Sequence, residues 1–404
     1  MSREAVVILN GARTPMTEWV GGRAGNGKPG GALKDVSAID LGVVAAKAAL
    51  QRSKVPAELL DHVIMGNALQ TSGDAIYGAR HIGLKAGVPV PVPALTVNRL
   101  CGSGIQSVIS AAHLLQLGEA NFVLAGGMEN LSQAPFVVRG ARSGLRLGQG
   151  VLEDSLLTAL KDSYCGLFMA ETSDNLARRY KITREAQDAF ALRSITEGRR
   201  AIDSGLLAEE IAPVTLPGRE ARVVEKDDHC FEGATAEALA KLQPAFGKES
   251  FVTAGNASGI VDGAAALVVT TERHAEKRDL NPIGRIVSWS VTGVDPDTMG
   301  IGPVPATRAA LKQAGMTVED VDLFEINEAF AGQYLAVEGE LQNPREKTNV
   351  NGGAIAVGHP LGATGTRLLL TLLYELRRRK KRWGVASACI GGGQGIAMVV
   401  EALA

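Results

Sequence analysis

Residues 45–68 align without a gap on residues 306–329, an offset of 261, and a helix-plus-strand unit repeated over that distance implies two similar halves. Identities fall at Ala45/Ala306, Ala48/Ala309, Leu50/Leu311, Glu58/Glu319, Asp61/Asp322 and Ala68/Ala329. In each copy an Ala-rich helix leads to a strand of apolar alternation, Val63 and Met65 in the first, Phe324 and Ile326 in the second. At 404 residues the chain exceeds what a single core supports. With 9 Phe, 5 Tyr and 3 Trp against 48 Gly, that core has to be built from Ala, Val, Ile and Leu. Strands alternating with helices give an α/β protein whose sheets are covered by helices. A second echo follows each copy: the apolar run to Cys101-Gly-Ser-Gly, and Val385-Ala-Ser-Ala-Cys389-Ile-Gly-Gly-Gly. Each half is therefore expected to end one strand in a cysteine, with Cys389 taking in the second half the place of Cys101 in the first.

Between the copies the pattern changes. Residues 182–201 read as a charged helix and residues 219–232 as polar loop, which makes residues 131–261 an insertion into the first half. The expected division is residues 1–130 plus 262–282, the insertion 131–261, and residues 283–404. The Gly-rich residues 19–29 read as a flexible loop.

Charge is balanced, 42 basic against 43 acidic residues, so neither a nucleic-acid binder nor a disordered chain is expected. Four cysteines without any C-x-x-C spacing exclude the usual zinc and redox motifs and argue against a disulfide framework. No apolar run reaches the length of a spanning helix and no signal peptide is recognisable, so a soluble, cytoplasmic protein without membrane insertion is expected.

Beyond Cys101, Ile105, Val108, Ile109 and Ala112 recur at helical spacing, so a helix starts within a residue or two of the thiol. Unpaired N–H groups at that start favour thiolate, and a nucleophile is expected. Cys165 and Cys230 are read as core, where free cysteine packs as a small hydrophobe. Of six histidines, only His359 lies in a Gly-rich turn ahead of an apolar helix, where glycines let a ligand approach the backbone. The run Cys389-Ile-Gly-Gly-Gly-Gln-Gly resembles a dinucleotide fingerprint, but a strand follows it and no helix, so the pyrophosphate mechanism is missing. A turn exposing N–H groups beside a thiol suits an oxyanion hole instead. Asn327 closes the strand of the second copy, where its amide can donate to an oxyanion or hold a water. Two thiols, an imidazole and an amide suit carbanion and acyl chemistry on a thioester.

Val97-Asn-Arg-Leu-Cys101-Gly-Ser-Gly, Asn327-Glu-Ala-Phe330, Gly353-Ala-Ile-Ala-Val-Gly-His359-Pro-Leu-Gly and Cys389-Ile-Gly-Gly-Gly-Gln-Gly resemble, in order, the four active-site motifs of the thiolases. The likeness covers nearly the whole chain. It implies the thiolase fold, two duplicated α/β halves in five αβαβα layers with an inserted loop domain, assembled as a homodimer or homotetramer. By the same resemblance Cys101 accepts the acyl group, His359 activates it, Cys389 is the second acid/base, and Asn327 holds a water that stabilises the enolate. The N–H groups of Cys101 and Gly391 form a second oxyanion hole. Ser258 meets pantetheine, and Met169, Met299 and Phe330 line its channel. No permanent cofactor or metal is implied; coenzyme A is the co-substrate, and acyl-CoA and CoA are the partners.

Three departures stand out. Phe168 occupies a place where acetoacetyl-specific members tend to carry His, and the chain most resembles broad-specificity 3-ketoacyl-CoA thiolases. Phe231 and Glu232 stand where an Arg commonly meets the nucleotide of CoA. The stretch at residues 19–29 has no counterpart. A ketoacyl synthase would need a second His where Cys389 stands. A non-catalytic acyl-CoA or lipid-binding relative would have lost a reactive group, and all four are present.

Overall fold

The computed structural model describes residues 4–21, 30–216 and 222–403. Residues 22–29 of the Gly-rich stretch and residues 217–221 lie outside it. Nine strands follow one hydrogen-bonded path. They are β1 (Val6–Arg13), β2 (His62–Gly66), β3 (Ala94–Val97), β4 (Phe122–Glu129), β5 (Val261–Thr271), β6 (Gly284–Gly293), β7 (Leu323–Ile326), β8 (Trp383–Ile390) and β9 (Gln394–Ala402). Their order is β7-β8-β9-β6-β1-β5-β4-β2-β3, with the short strand Thr17–Glu18 attached to β5. Only Val6 to Ile8 of β1 pair with β6, so this short ladder joins two half-sheets.

Outward from that seam the halves match. In the first, β5 and β4 are antiparallel, and β4, β2 and β3 run parallel. In the second, β9 and β8 are antiparallel, β8 and β7 run parallel, and a parallel bridge from Phe324 to Thr348 stands in for the last strand. The repeated segments are α1 (Ala38–Ser53) with β2 and α6 (Pro303–Ala314) with β7; the other long helices among the described residues are α2 (Gly78–Ala86), α3 (Ser103–Leu117), α4 (Met169–Tyr180), α5 (Arg184–Asp203), α7 (Ala331–Leu341) and α8 (Leu361–Arg378).

Strand alternation produces the layers. Val123 and Ala125 of β4, with Ala386 and Ala388 of β8, face one shared core containing Ile105, Val108 and Ile109 of α3 and Leu368, Leu369 and Leu372 of α8. The opposite face of β4, Phe122 and Leu124, packs under α1 and α2. The opposite face of β8, Val385, packs with α5, α6 and α7. The sequence is therefore outer helices, sheet, α3 with α8, sheet, outer helices, the five layers expected. Small residues make the middle layer thin: a Cβ on Gly104 of α3 would lie 2.4 Å from the backbone N of Thr366 on α8. The two helices touch backbone to backbone near their N-terminal ends.

This topology corrects the expected equivalence of the cysteines. Cys389 lies inside β8, whose counterpart is β4, so it corresponds to the end of that strand near Met128. Cys101 lies at the entry to α3, whose counterpart is α8, so its equivalent in the second half is the loop carrying His359. The two apolar runs looked alike because an apolar strand followed by Cys and Gly suits either a strand-to-helix turn or a hairpin; pairing partners distinguish them.

Candidate active site

The close crossing of α3 and α8 brings their preceding loops together. Cys101 sits in the 3-10 turn Leu100–Gly102 immediately before α3, after Leu100 at φ 45, a left-handed backbone that a branched apolar residue adopts only under constraint. His359 precedes α8, its backbone N donating to the Gly259 carbonyl at 2.9 Å. From the second half-sheet comes Cys389, near the end of β8, followed by the turn Gly391–Gly393, in which Gly392 and Gly393 both have φ 82. That turn points the Gly391 N–H at the Cys101 sulfur. Asn327 follows β7, anchored by its N–H to the Ser387 carbonyl at 2.9 Å. Its Nδ2 lies 3.4 Å from His359 Nε2, and its buried Oδ1 has no hydrogen-bond partner among the described residues.

The electrostatics differ from the sequence expectation for Cys101. Burial pushes its thiol up to about 11, against the helix start and the Gly391 N–H, and the carboxylate of Glu129 adds to the rise. Cys101 as a whole is half-buried, and it is desolvation of its sulfur that outweighs the partial charges at the helix end. Burial, reinforced by the positive Arg367, pulls His359 down to about 3, so the imidazole is neutral. Cys389 is buried completely; that burial raises its thiol above the ordinary range, and the charge of a Cys101 thiolate raises it further. The second effect means that the two sulfurs are close enough to interact.

Around this centre, Met299, Ala329 and Cys389 form one buried cluster with Met169 and Phe330 packed on its edge. Ser258 is stitched to it, its N–H donating to the Ala329 carbonyl at 3.0 Å beside the Ala257–Phe330 bridge. A Cβ on Gly391 would lie 3.2 Å from Met169 Sδ, so this methionine borders the turn. Phe168, next to it, stacks obliquely on Phe246 at 5.6 Å with Lys161 Nζ over its ring. Phe231 is exposed and Glu232 lies 3.7 Å from Arg199. Cys230 is buried, as expected, but Cys165 is only half-buried, in the loop before α4 between the exposed Tyr164 and Gly166. Among the described residues no group of three His, Cys, Asp or Glu side chains is placed to hold a metal ion.

Two residues of the site have no part in the sequence reading. Glu129, at the end of β4, accepts from Asn67 Nδ2 and Leu69 N at 2.8 and 2.9 Å and from Ala68 N and Gly362 N at 3.0 and 2.8 Å. Burial raises its carboxyl to about 7 while these N–H donors favour the charged form. A lone acid closing the apolar strand Phe122–Glu129 was the available signal. Thr364 contacts His359 through its hydroxyl, and its spacing within α8 was the only hint.

The sequence matches the family models described as "Thiolase, N-terminal domain" over residues 6–273 and "Thiolase, C-terminal domain" over residues 280–402. It is 51% identical over 401 residues to the mitochondrial 3-ketoacyl-CoA thiolase of Homo sapiens, covering 99% of this chain and 98% of the relative. It is 50% identical over 384 residues to the acetyl-CoA acetyltransferase of Escherichia coli (strain K12), covering 94% and 97%. The crystal structure of human mitochondrial 3-ketoacyl-CoA thiolase in complex with CoA superposes at a TM-score of 0.93 with 49% identity, covering 99% and 98% of the two chains. The chain belongs to the thiolase family of acyltransferases.

Proposed function

We propose that the chain cleaves 3-ketoacyl-CoA with CoA to acetyl-CoA and a shortened acyl-CoA, or in reverse condenses acetyl-CoA to acetoacetyl-CoA, through an acyl group on Cys101. The observations that support this reading are the Gly391 N–H directed at the Cys101 sulfur, the charge of Cys101 acting on the buried Cys389, and the buried His359 with its Nε2 3.4 Å from Asn327 Nδ2. Cys101 Sγ adds to C3 of the substrate as its proton passes to His359 Nε2, and the N–H groups of Cys101 and Gly391 stabilise the oxyanion. The C2–C3 bond then breaks, its electron pair forms the enolate of acetyl-CoA, and Cys389 protonates C2. A water on the free Oδ1 of Asn327, together with His359, would steady that enolate oxygen. CoA thiol then gives its proton to the Cys389 thiolate and takes the acyl group, and the proton on His359 returns to Cys101. The high proton affinity of Cys389 suits removal of the weakly acidic α-proton in the reverse direction.

CoA is the proposed co-substrate, with Ser258, Met169, Met299 and Phe330 along the pantetheine channel. The clustering of the last three about Cys389 supports this. Phe168 in place of a histidine supports a broad chain-length range. The domain division is residues 1–130 with 262–282, residues 131–261, and residues 283–404; it is supported by direct pairing of β4 with β5, which leaves the chain between them outside the sheet path. A homodimer or a tetramer built from it is supported by β3. Among the described residues this strand pairs only with β2, and it exposes Leu95 beside Ile76 and Tyr77, an edge suited to a second copy. No helix among the described residues is long and apolar enough to cross a membrane. Cytoplasmic residence is a further proposal, to be tested by fractionation, since the human relative is mitochondrial by name.

The deciding experiment measures thiolysis of acetoacetyl-CoA and of 3-ketoacyl-CoA esters of increasing chain length, with Cys101→Ala alongside. Turnover by the wild type that Cys101→Ala abolishes is the expected result. Full turnover by the variant overturns the mechanism, and activity on acetoacetyl-CoA alone overturns the broad range.

A further inference from the structure

We propose that Thr364 is a positioning residue that fixes the tautomer of His359, holding the proton on Nδ1 so that Nε2 is bare toward Asn327. The inference rests on His359 acting as the base of the reaction above. Thr364 Oγ1 lies 2.6 Å from His359 Nδ1 and 3.1 Å from the Pro360 carbonyl oxygen. A hydroxyl has one proton, and a carbonyl oxygen only accepts. With that proton directed at Pro360, the hydroxyl oxygen accepts from Nδ1–H. On the far edge of the ring, Asn327 Nδ2 can only donate, which requires a lone pair on Nε2. Both partners therefore select the same tautomer. The other tautomer requires the Thr364 hydroxyl and the Asn327 amide to turn over together.

The hydroxyl is held rigidly. Thr364 is fully buried in the first turn of α8, and its N–H donates to the Pro360 carbonyl at 3.0 Å. The next residue, Gly365, lies against α3: a Cβ there would be 2.4 Å from the backbone N of Ile105. The helix crossing that brings Cys101 to His359 thus also sets the orientation of the imidazole. Because His359 is buried, bulk water does not substitute for a missing partner on Nδ1.

The test compares wild type, Thr364→Val and Thr364→Ser by steady-state thiolysis and by ¹⁵N NMR of the histidine ring. Valine keeps the volume and removes the acceptor. It is expected to lower kcat about 10- to 100-fold with little change in KM, the range for loss of a partner that orients a metal-bound histidine. It should also change the His359 nitrogen shifts from a single Nδ1–H form to a mixture, and serine should restore both. A wild-type spectrum showing Nε2–H overturns the proposal without any variant having to fold. So does a valine variant with wild-type kcat, or equal losses in valine and serine, which indicate packing. A wild type that shows the Nδ1–H tautomer but turns over no 3-ketoacyl-CoA ester instead removes the functional reading and leaves the tautomer assignment standing.

Discussion

Replacing His359 with Asn isolates the Cys101 thiol from its base, and the structure fixes what its reactivity should then be. With the thiol pushed up to about 11, roughly one molecule in ten thousand is ionised at pH 7. An ordinary thiol at 9.0 is ionised in about one in a hundred. The more basic thiolate recovers about six- to tenfold in intrinsic nucleophilicity, which leaves a net deficit of roughly tenfold. Alkylation of Cys101 by iodoacetamide, followed by peptide mass spectrometry to separate it from the half-buried Cys165, should therefore accelerate about tenfold per pH unit from pH 7 to 10 in the variant. Wild type should behave differently. A buried imidazole at about 3 is unprotonated across the neutral range, so a base-assisted rate stays flat from about pH 5 to pH 9 and exceeds that of the variant at pH 7. A variant with the same flat profile as wild type would remove His359 as the base. A variant whose rate levels off near pH 8 would show that burial does not hold the thiol up.

Glu129→Gln leaves an NH2 facing two of the four N–H donors that converge on the carboxylate, and should cost roughly 3 kcal/mol in chemical denaturation. In the His359→Asn background it should also shift Cys101 labelling to lower pH by removing a negative charge; an unchanged profile refutes that coupling. Gly127→Ala places a Cβ 1.8 Å from the Gly362 carbonyl oxygen, so α8 has to move; loss of roughly 3 kcal/mol or more is expected in thermal or urea melts, together with lowered kcat. Cys389→Ala should still accept acyl label on Cys101 while solvent exchange of the acetyl-CoA α-protons slows by roughly 10²- to 10⁴-fold, and retained exchange would disqualify Cys389 as the carbon acid/base.

The site motifs were legible because each is local. Gly-rich runs beside Cys101, His359 and Cys389 mark places where backbone approaches a ligand, and the apolar spacing after Cys101 and after His359 announces the two helices. Burial was not legible. Nothing along the chain distinguishes a thiol at a solvated helix start from one whose sulfur is desolvated beside Gly391, and for Cys101 that desolvation pushes the thiol up where the helix start alone would pull it down. Glu129 showed only as a lone acid closing an apolar strand; its part in the site was not legible, since its four donors come from β2's exit and from α8, more than two hundred residues apart.

By itself the sequence determined the duplication and the helix and strand periods, because repeats and apolar periodicity are properties of neighbouring residues; the family was legible in the four motifs, and the five layers followed only from that resemblance. Tertiary structure decided which strand of one half corresponds to which of the other, moving Cys389 from the place of Cys101 to the end of β8. It also decided the protonation of the centre, because desolvation depends on what covers a group, and Cys101, His359 and Cys389 are covered by elements from both halves. The repeat offset of 261 sets up two halves; the close approach of Gly104 to Thr366 and of Gly365 to Ile105, with the Gly362 N–H on Glu129, makes one site from them.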